Sequence, residues 1–371
     1  ALETVATFKE KTGLNTMLRV YGVGNHGGGP TYEQLESARG MQKVPYYPKT
    51  RFSTLAEYFS DINKQGLSGL PVVNQELNAV FQGCYTTHGA IKRLNRDAEN
   101  ALTSAETTAT AASFYGFPYP AARFRALWED LLANQHHDTL LGSAIHETYD
   151  KTREQVGYVV AEAKAILGDA TRYLASYANR PKNAKYAVFA YNPLGWQRTG
   201  RVRIGWPFPP DKDKWVAVDP DGRWYPVTII RGVRPDNPDG LPVAEFNAEV
   251  PAFGYASFAL YPTSEPVASA VNLTQAGDKY VIENTLIRVE VNNAGLITSL
   301  KRKDSERETV APGGAANRLE IWNEDESPRS AWIIGPYLGH EKLDQPVQIT
   351  IVDNEPGRVT LSVRRTFRSS T

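Results

Sequence analysis

Three adjacent residues, His136, His137 and Asp138, carry side chains that bind metal ions or transfer protons. They follow residues 124–131, in which apolar side chains recur at the spacing of a helix that packs on a core. The 371-residue chain contains only six histidines, so two of them beside a carboxylate indicate a functional cluster. The structural alternative is a helix C-terminus, where cationic imidazoles interact favourably with the helix dipole. These three residues alone leave both interpretations open.

A glycine-rich segment, residues 22–30, lies between a predicted strand at 17–23 and a predicted helix. Its glycines suit either a tight loop with unusual backbone angles or a loop that a bulky polar ligand approaches closely. In the second interpretation Asn25 and His26 hydrogen-bond the ligand. A dinucleotide site fails because no acidic residue follows at the required distance. A lipase oxyanion hole fails because the chain has no Gly-x-Ser-x-Gly nucleophile elbow.

Glu76 is the candidate general acid, since apolar runs lie on both sides of it in the sequence. An apolar setting disfavours the charged form of a carboxylate, which suits proton donation. The alternative is an ordinary solvated glutamate at a strand edge. Cys84, the single cysteine, is a conceivable nucleophile, but the expectation is a buried, unreactive thiol.

The elements that position these residues change in kind along the chain, which predicts a multidomain fold with α/β, α and β parts. Helices that begin with capping boxes at Thr31 and Thr54 follow short apolar runs, which is the order of a parallel sheet or barrel. Long helices follow, with a break at 114–120 and a cap at Ser143 for the last of them. Alternating apolar and polar residues then predict antiparallel strands. The predicted domains are the C-terminal part of a (β/α) barrel-like catalytic domain, a three-helix bundle, a β-sandwich domain and the start of a second, larger β-sandwich domain, at residues 1–100, 101–183, 184–263 and 264–371.

The amino-acid composition limits the kinds of molecule that the protein is expected to bind and the compartment in which it is expected to occur. Basic and acidic residues balance to a formal net charge of zero, so neither nucleic acid nor a membrane surface is an expected partner. No run of about 18 apolar residues predicts a transmembrane helix. A single cysteine excludes internal disulfides and indicates a reducing compartment, which predicts a cytoplasmic protein. Residues 1–13 show no signal peptide, and the chain is expected to begin and stop inside domains.

Four segments, in chain order, resemble motifs of glycoside hydrolase family 38, the zinc-dependent α-mannosidases. The first three are GVGNHGGGPT, then ELN followed by GCYTTHGAIKRLNR, and then LLANQHHDTLLGS. The fourth, NRLEIWNEDESPRSAW at 317–332, resembles the opening of the family's large β domain. The resemblance implies a (β/α) catalytic domain, a three-helix bundle and β-sandwiches, in the order given by the hydrophobic patterns.

The resemblance also implies a function, which is the retaining hydrolysis of terminal α-mannosides in oligosaccharides with a bound zinc ion. His137 is then a zinc ligand, Asp138 and the pair Asn25 and His26 contact the sugar, and Glu76 is the acid/base carboxylate. Asn25 stands where relatives often have aspartate. The alternative is a non-catalytic carbohydrate-binding or structural module. No partner besides the glycan is indicated, and homo-oligomer formation is left open.

We expect the 371-residue chain by itself not to hydrolyse α-mannosides and to bind zinc only weakly. The family's other zinc ligands come from a His-x-Asp motif near the N-terminus and from the nucleophilic aspartate, and neither precedes the glycine-rich segment. The catalytic nucleophile is therefore expected outside this chain. One imidazole does not hold zinc as three protein ligands do, and no covalent glycosyl intermediate forms without a nucleophile. An aryl α-mannoside assay with a zinc titration tests this expectation, which turnover near that of a full-length relative would contradict.

Overall fold

The computed structural model describes residues 2–24, 28–78, 80–181, 184, 186–206, 214–233, 236–265, 267–325 and 331–368. The chain divides into two compact units, Ala1–Leu77 and Asn78–Thr371. No helix among the described residues has both the length and the apolar composition needed to cross a membrane.

The described residues of the first unit form three helices: α1 (Leu2–Thr12), α2 (Tyr32–Met41) and α3 (Leu55–Gln65). Both predicted capping boxes are confirmed. The Thr31 and Thr54 side chains accept the backbone N–H of the residue three positions on, whose own side chain bonds back to the cap backbone. The apolar face of α3 is largely exposed, and only its Ile62 is buried. Capping therefore fixes where these helices begin, while burial contributes little to them within this unit.

Residues 17–23, predicted as a strand, form none, so that prediction is wrong. A strand persists only where a neighbouring strand takes up its backbone hydrogen bonds. The described part of the first unit contains no strand, and Val20 in the middle of the segment is 81% exposed. The predicted barrel architecture is accordingly not confirmed.

Four helices begin the second unit: α4 (Gly89–Ser113), α5 (Ala121–Asn134), the single turn α6 (His137–Leu140) and α7 (His146–Tyr177). A 3₁₀ turn, Gln82–Tyr85, precedes α4. The predicted apolar face of α4 is confirmed, since Ile91, Leu102 and the alanines between and beyond them are buried. These small residues pack α4 against α7, and α5 adds Phe124 and Leu131 to the same core. The long helices therefore form one bundle.

Two boundaries in this region differ from the sequence prediction. Helix α4 continues across residue 100, where the first predicted domain boundary lies. Ser143 does not cap α7, because that helix begins at His146 with Ile145 at the N-cap and without a side-chain cap. The Ser143 hydroxyl donates to the Asp138 carbonyl oxygen instead, at 3.2 Å. The serine thus closes the turn that follows α6.

The next part of the unit is an antiparallel sheet of six strands in the order β1-β6-β3-β4-β5-β2. Strand β4 pairs with β3 through its first half and with β5 from Thr228 onward, so the six strands are hydrogen-bonded into one continuous sheet. Strands β5 and β6 are not neighbours in this sheet but meet in its core, so the sheet folds over itself, and the β-sandwich domain stays a prediction. The rings of Phe246 on β5 and Phe258 on β6 lie 5.1 Å apart in the buried core. The strands are β1 (Tyr186–Asn192), β2 (Arg198–Gly205), β3 (Lys214–Val218), β4 (Trp224–Ile230), β5 (Val243–Val250) and β6 (Gly254–Thr263).

Eight further strands complete the unit. A four-stranded antiparallel sheet has the order β10-β9-β8-β7, and two hairpins follow it. The strands are β7 (Asn272–Ala276), β8 (Lys279–Glu283), β9 (Ile287–Val291), β10 (Ile297–Arg302), β11 (Leu319–Glu324), β12 (Tyr337–Leu343), β13 (Gln348–Glu355) and β14 (Arg358–Arg364). The predicted turn at 293–295 is confirmed by Gly295, whose φ is +67°. The side chain of Val363 on β14 packs so closely over Gly295 that no larger residue fits there.

A buried ionic cluster joins the last hairpin to the six-stranded sheet. The Arg358 guanidinium donates to Glu245 at 2.7 Å, to Asp353 at 2.9 Å and to Asp236. Arg358 is 13% exposed, and the Glu245 and Asp353 side chains are 8% and 9% exposed. One guanidinium therefore interacts with two carboxylates that have little access to water and with the more exposed Asp236, while Arg201 lies 3.4 Å from Glu245 as a second cation.

We predict that Arg358→Met lowers the free energy of unfolding by about 3–5 kcal/mol, since it removes the buried guanidinium that Glu245 and Asp353 share. Urea denaturation followed by tryptophan fluorescence measures the change. The matched control is Arg302→Met, because Arg302 pairs with Asp304 in solvent at 62% and 52% exposure, where an ion pair contributes little. Equal losses in the two variants would contradict the assigned role of Arg358.

Candidate functional site

The turn α6 brings the three chemically active side chains predicted from sequence close together. The Nε2 atom of His137 lies 3.6 Å from Oδ2 of Asp138. The His136 and His137 rings are 4.3 Å apart at their centroids, and one potential ligand atom from each of the three residues lies within 4.8 Å of the others. All three residues are exposed. Of the residues that the structure describes, these are the one group of three or more such side chains that is arranged to hold a metal ion.

The two histidines have different local roles. Nδ1 of His136 accepts the backbone N–H of Asp138 at 3.3 Å, so His136 caps the turn. The bond is local, since it joins residues two positions apart. His137 makes no such bond to the backbone among the described residues, and its side chain is 76% exposed. The imidazole available to an external ligand is therefore that of His137.

Lys92 on α4 holds the end of α6 in place. Its ammonium donates to the carbonyl oxygens of Thr87 at 2.5 Å, Leu140 at 3.0 Å and Leu141 at 3.3 Å. The last two carbonyls belong to the C-terminal end of α6, where a cation is favourable. Burial lowers the pKa of Lys92 below the usual lysine value. Its three carbonyl acceptors join the segment before α4 to the segment after α6.

A close backbone contact fixes the same junction. Gly142 is buried with φ +94°, and a Cβ there would lie 2.8 Å from Thr87 Cγ2 and 2.9 Å from the Thr87 carbonyl oxygen. The Thr87 hydroxyl donates to the carbonyl oxygens of Gly83 at 2.8 Å and Ala331 at 3.3 Å. The Gly83 N–H donates to the Trp332 carbonyl oxygen at 3.0 Å. Segment 83–96 thus contacts both segment 131–143, which contains α6, and residues 331–332 at the end of the fourth segment singled out in the sequence.

An aromatic pair supports the entrance to α7. His88 has φ +49°, which is rare for a residue with a side chain. Its ring stacks on that of Tyr149 at 4.1 Å, and the Tyr149 side chain is fully buried. The Tyr149 hydroxyl accepts the Ala144 N–H at 2.8 Å. The segment between α6 and α7 is therefore held by the hydrogen bond to Tyr149, whose ring is itself packed against His88.

Glu76 lies in the first unit and is exposed. The apolar surroundings expected for it are not observed there, because Val72, Val73 and Leu77 are 97%, 55% and 79% exposed. Adjacency in sequence to apolar residues does not produce burial unless a further element covers them. The acid/base role of Glu76 stays a prediction.

The described ends of the glycine-rich segment form a tight loop. Gly22 and Gly24 have φ of +146° and +72°, and the Val23 N–H donates to the Gly29 carbonyl oxygen at 3.2 Å. A Cβ at Gly28 would lie 2.9 Å from that of Val23. Glycine is thus needed for backbone conformation and close approach within the loop itself. The predicted sugar contacts Asn25 and His26 lie outside the described residues.

Several residues that hold α6 and its neighbouring segments in place were not identified from the sequence. Cys84 is a buried thiol, as expected, but Thr87, Lys92, Gly142 and Tyr149 had no assigned role. A signal existed for Gly142, a glycine directly after a helical turn, which is typical of a residue with positive φ. No signal identified Lys92, because its acceptors are backbone carbonyls 48 and 49 positions away.

Comparison with known protein families gives three matches along the chain. The glycosyl hydrolases family 38 N-terminal domain matches residues 1–81, the alpha mannosidase middle domain matches residues 79–174, and the glycosyl hydrolases family 38 C-terminal domain matches residues 282–371. The three matches follow one another in the order of the motifs described above. The chain belongs to glycoside hydrolase family 38.

Individual relatives agree with this membership. Alpha-mannosidase 2C1 of Homo sapiens is 25% identical over 93% of this chain and 30% of its own length. An alpha-mannosidase of Saccharomyces cerevisiae is 32% identical over 50% of this chain and 18% of its own length. The chain therefore spans less than a third of either relative. The crystal structure of an alpha-mannosidase from Enterococcus faecalis V583 shares the fold, with a TM-score of 0.59 and 17% identity over 90% of this chain and 42% of that one.

We predict that Gly142→Ala destabilises the second unit by roughly 1–3 kcal/mol, because a methyl group would collide with Thr87 and φ is positive. The control is Gly157→Ala on α7, where no atom lies within 4 Å of the added Cβ. That variant is expected to stabilise the helix by up to about 1 kcal/mol. Thermal denaturation followed by circular dichroism distinguishes the opposite signs, and a neutral Gly142→Ala would contradict the described junction.

Proposed function

We propose that the protein is an α-mannosidase that removes terminal α-mannosides from oligosaccharides with retention of configuration, using zinc. The observation that supports this most is the contact of segment 83–96 with two other family motifs, one of which contains α6 and presents His137 and Asp138 to solvent. Names of relatives such as Alpha-mannosidase 2C1 of Homo sapiens point to the same substrate class. Because the chain spans less than a third of these relatives, the activity is a proposal for the whole protein.

The donor set of α6 fits zinc. Zinc binds imidazole nitrogen and carboxylate oxygen at about 2.0–2.2 Å, and α6 presents both kinds of donor. His137 Nε2 and Asp138 Oδ2 lie 3.6 Å apart. We assign His137 as a zinc ligand and Asp138 as a contact to a sugar hydroxyl at the same ion. When bound, zinc would supply a Lewis acid that orients neighbouring sugar hydroxyls and stabilises developing charge.

The proton-transfer role is proposed for Glu76. Retaining glycosidases use two carboxyl groups about 5–5.5 Å apart, one as nucleophile and one as acid/base. Glu76 would protonate the leaving oxygen and then remove a proton from the attacking water. The nucleophilic carboxylate has no assigned residue in this chain, so we propose that the 371 residues alone do not turn over. Asn25 and His26 are proposed to hydrogen-bond the sugar.

The cellular setting is also a proposal. Cys84 is buried and is the single cysteine of the chain, so the described fold needs no oxidising environment. We propose a cytoplasmic enzyme whose partner is its glycan substrate, without nucleic acid.

A non-catalytic carbohydrate-binding or structural module is the second candidate function. The exposure of all three α6 side chains favours it, because catalytic metal sites usually lie in shaped cavities with little water. Turnover by the whole protein distinguishes the two functions, because a binding module would bind mannosides without releasing mannose.

We predict that His137→Ala weakens zinc binding of the whole protein at least tenfold, since loss of a ligand exceeds the roughly 10–100-fold effect of altering a residue behind it. The control is His146→Ala, because His146 has the same 76% side-chain exposure and a similar carboxylate neighbour, Asp150 at 3.7 Å. Competition with a chromophoric chelator measures affinity without any need for turnover. Equal effects of both variants would overturn the ligand assignment.

In the whole protein, the proposed activity predicts release of the α-anomer of mannose from an aryl α-mannoside. Proton NMR recorded early in the reaction, before mutarotation, distinguishes the two anomers. Exhaustive chelation is expected to abolish the reaction and added zinc to restore it. Release of the β-anomer, or full activity after chelation, would contradict the proposed mechanism.

A further inference from the structure

An open cleft of about 570 Å³ lies at the opposite end of α4 from Lys92, where the helix meets β1 and the turn before β6. The side chains that matter for its chemistry are four aromatic rings, a carboxylate and a hydroxyl, contributed by Phe114, Tyr115, Tyr191, Phe253, Glu106 and Thr110. Clefts of this kind, at a junction between a helical and a β region, are common places for ligands.

Phe253 is held in an unusual conformation on one wall of the cleft. Its φ is +44°, in the left-handed region that bulky residues rarely adopt, yet its side chain is 62% exposed. The Phe253 N–H donates to the Leu194 carbonyl oxygen at 2.9 Å. A Cβ at Gly195 would lie 3.2 Å from the Phe253 ring, so the ring rests on a glycine. The backbone strain is thus not offset by burial of the ring.

A buried amide fixes the turn that presents this ring. Asn192 is 1% exposed, and its Nδ2 donates to the Trp196 and Pro251 carbonyl oxygens at 2.8 and 3.0 Å. Its Oδ1 accepts the Leu194 N–H at 3.2 Å. The two loops beneath Phe253 are therefore tied together, and the ring is in place before any ligand arrives.

The opposite wall is similarly ordered. Phe114 and Tyr115 are 83% and 57% exposed, and the Tyr115 carbonyl oxygen accepts the Tyr173 hydroxyl at 3.0 Å. Glu106 is half-buried on the adjacent face of α4 and forms no ion pair or hydrogen bond with the described residues. The cleft thus combines exposed ring faces with an available acceptor.

We propose that this cleft binds a glycan, as a carbohydrate site separate from α6. A pyranose presents a face of C–H bonds that packs on aromatic rings, whose faces carry negative charge density, while its hydroxyls donate to a carboxylate such as Glu106. An apolar ligand would desolvate Glu106 without a partner. A phosphate is repelled by Glu106, and no Lys or Arg is among the described lining residues. Family membership suggests mannose as the sugar to test, whereas the site itself does not depend on hydrolysis.

The test is binding of α-mannotriose to the 371-residue chain, measured by saturation-transfer difference NMR and calorimetry, with a dissociation constant expected on the order of 1 mM. Phe253→Gly removes the ring and suits the positive φ, so the fold is retained. It is expected to weaken binding at least tenfold, and Phe114→Ala is expected to weaken it as well. Tyr158→Ala is the control, since this α7 residue is 56% exposed and lies outside the cleft lining.

Three results would overturn the proposal. They are no binding of α-mannotriose at about ten times the expected dissociation constant, unchanged binding by Phe253→Gly and Phe114→Ala, or an equal loss in Tyr158→Ala. Absence of turnover in the whole protein, together with binding of α-mannotriose that depends on Phe253, would refute the proposed catalytic function alone.

Discussion

Close packing of α4 against α7 through small side chains is the constraint on which both proposed sites depend. Alanines at 98, 105, 109 and 112 on α4 are completely buried and let the helix backbones approach closely. One end of α4 then presents Lys92 to the carbonyls of α6, and the other end forms a wall of the aromatic cleft. A larger residue in this seam would separate the helices and alter both ends together. The packing of the bundle therefore fixes the positions of both ends of α4 and, with them, of both proposed sites.

The sequence predicts those parts of the fold that follow from burial of one face. The face of α4 and the strands from Tyr186 onward are found where periodicity placed them, because a helix or strand with one covered face repeats its apolar residues at a fixed interval. The incorrect predictions concern which elements pair with one another. Residues 17–23 have strand composition but no pairing strand among the described residues, and β4 changes neighbours halfway, which no periodicity records. Ser143 has a capping side chain, but its hydroxyl bonds the Asp138 carbonyl instead.

The sequence allows the chemically active residues of the candidate site to be predicted, but not the residues that hold them in place. His137 and Asp138 are neighbours in sequence, so their proximity required no knowledge of the fold. The residues that hold them are distant in sequence and bond to backbone carbonyls, which every residue possesses, so composition gives no indication of Lys92. For Glu76, the apolar residues on either side in the sequence suggested a buried carboxylate. Such residues enclose a carboxylate only when another element covers them, and Val72, Val73 and Leu77 are exposed.

The bond between the Thr87 hydroxyl and the Ala331 carbonyl joins residues 244 positions apart. During synthesis from the N-terminus, α4, α6 and α7 leave the ribosome long before this acceptor exists. The turn that carries His137 therefore lacks this support until the residues that follow β11 have been translated. Contacts of such long sequence separation form late and slow folding. A ribosome that stalls within the six-stranded sheet would leave a nascent chain with a formed bundle and an unfinished site, which is a natural point for chaperones to bind.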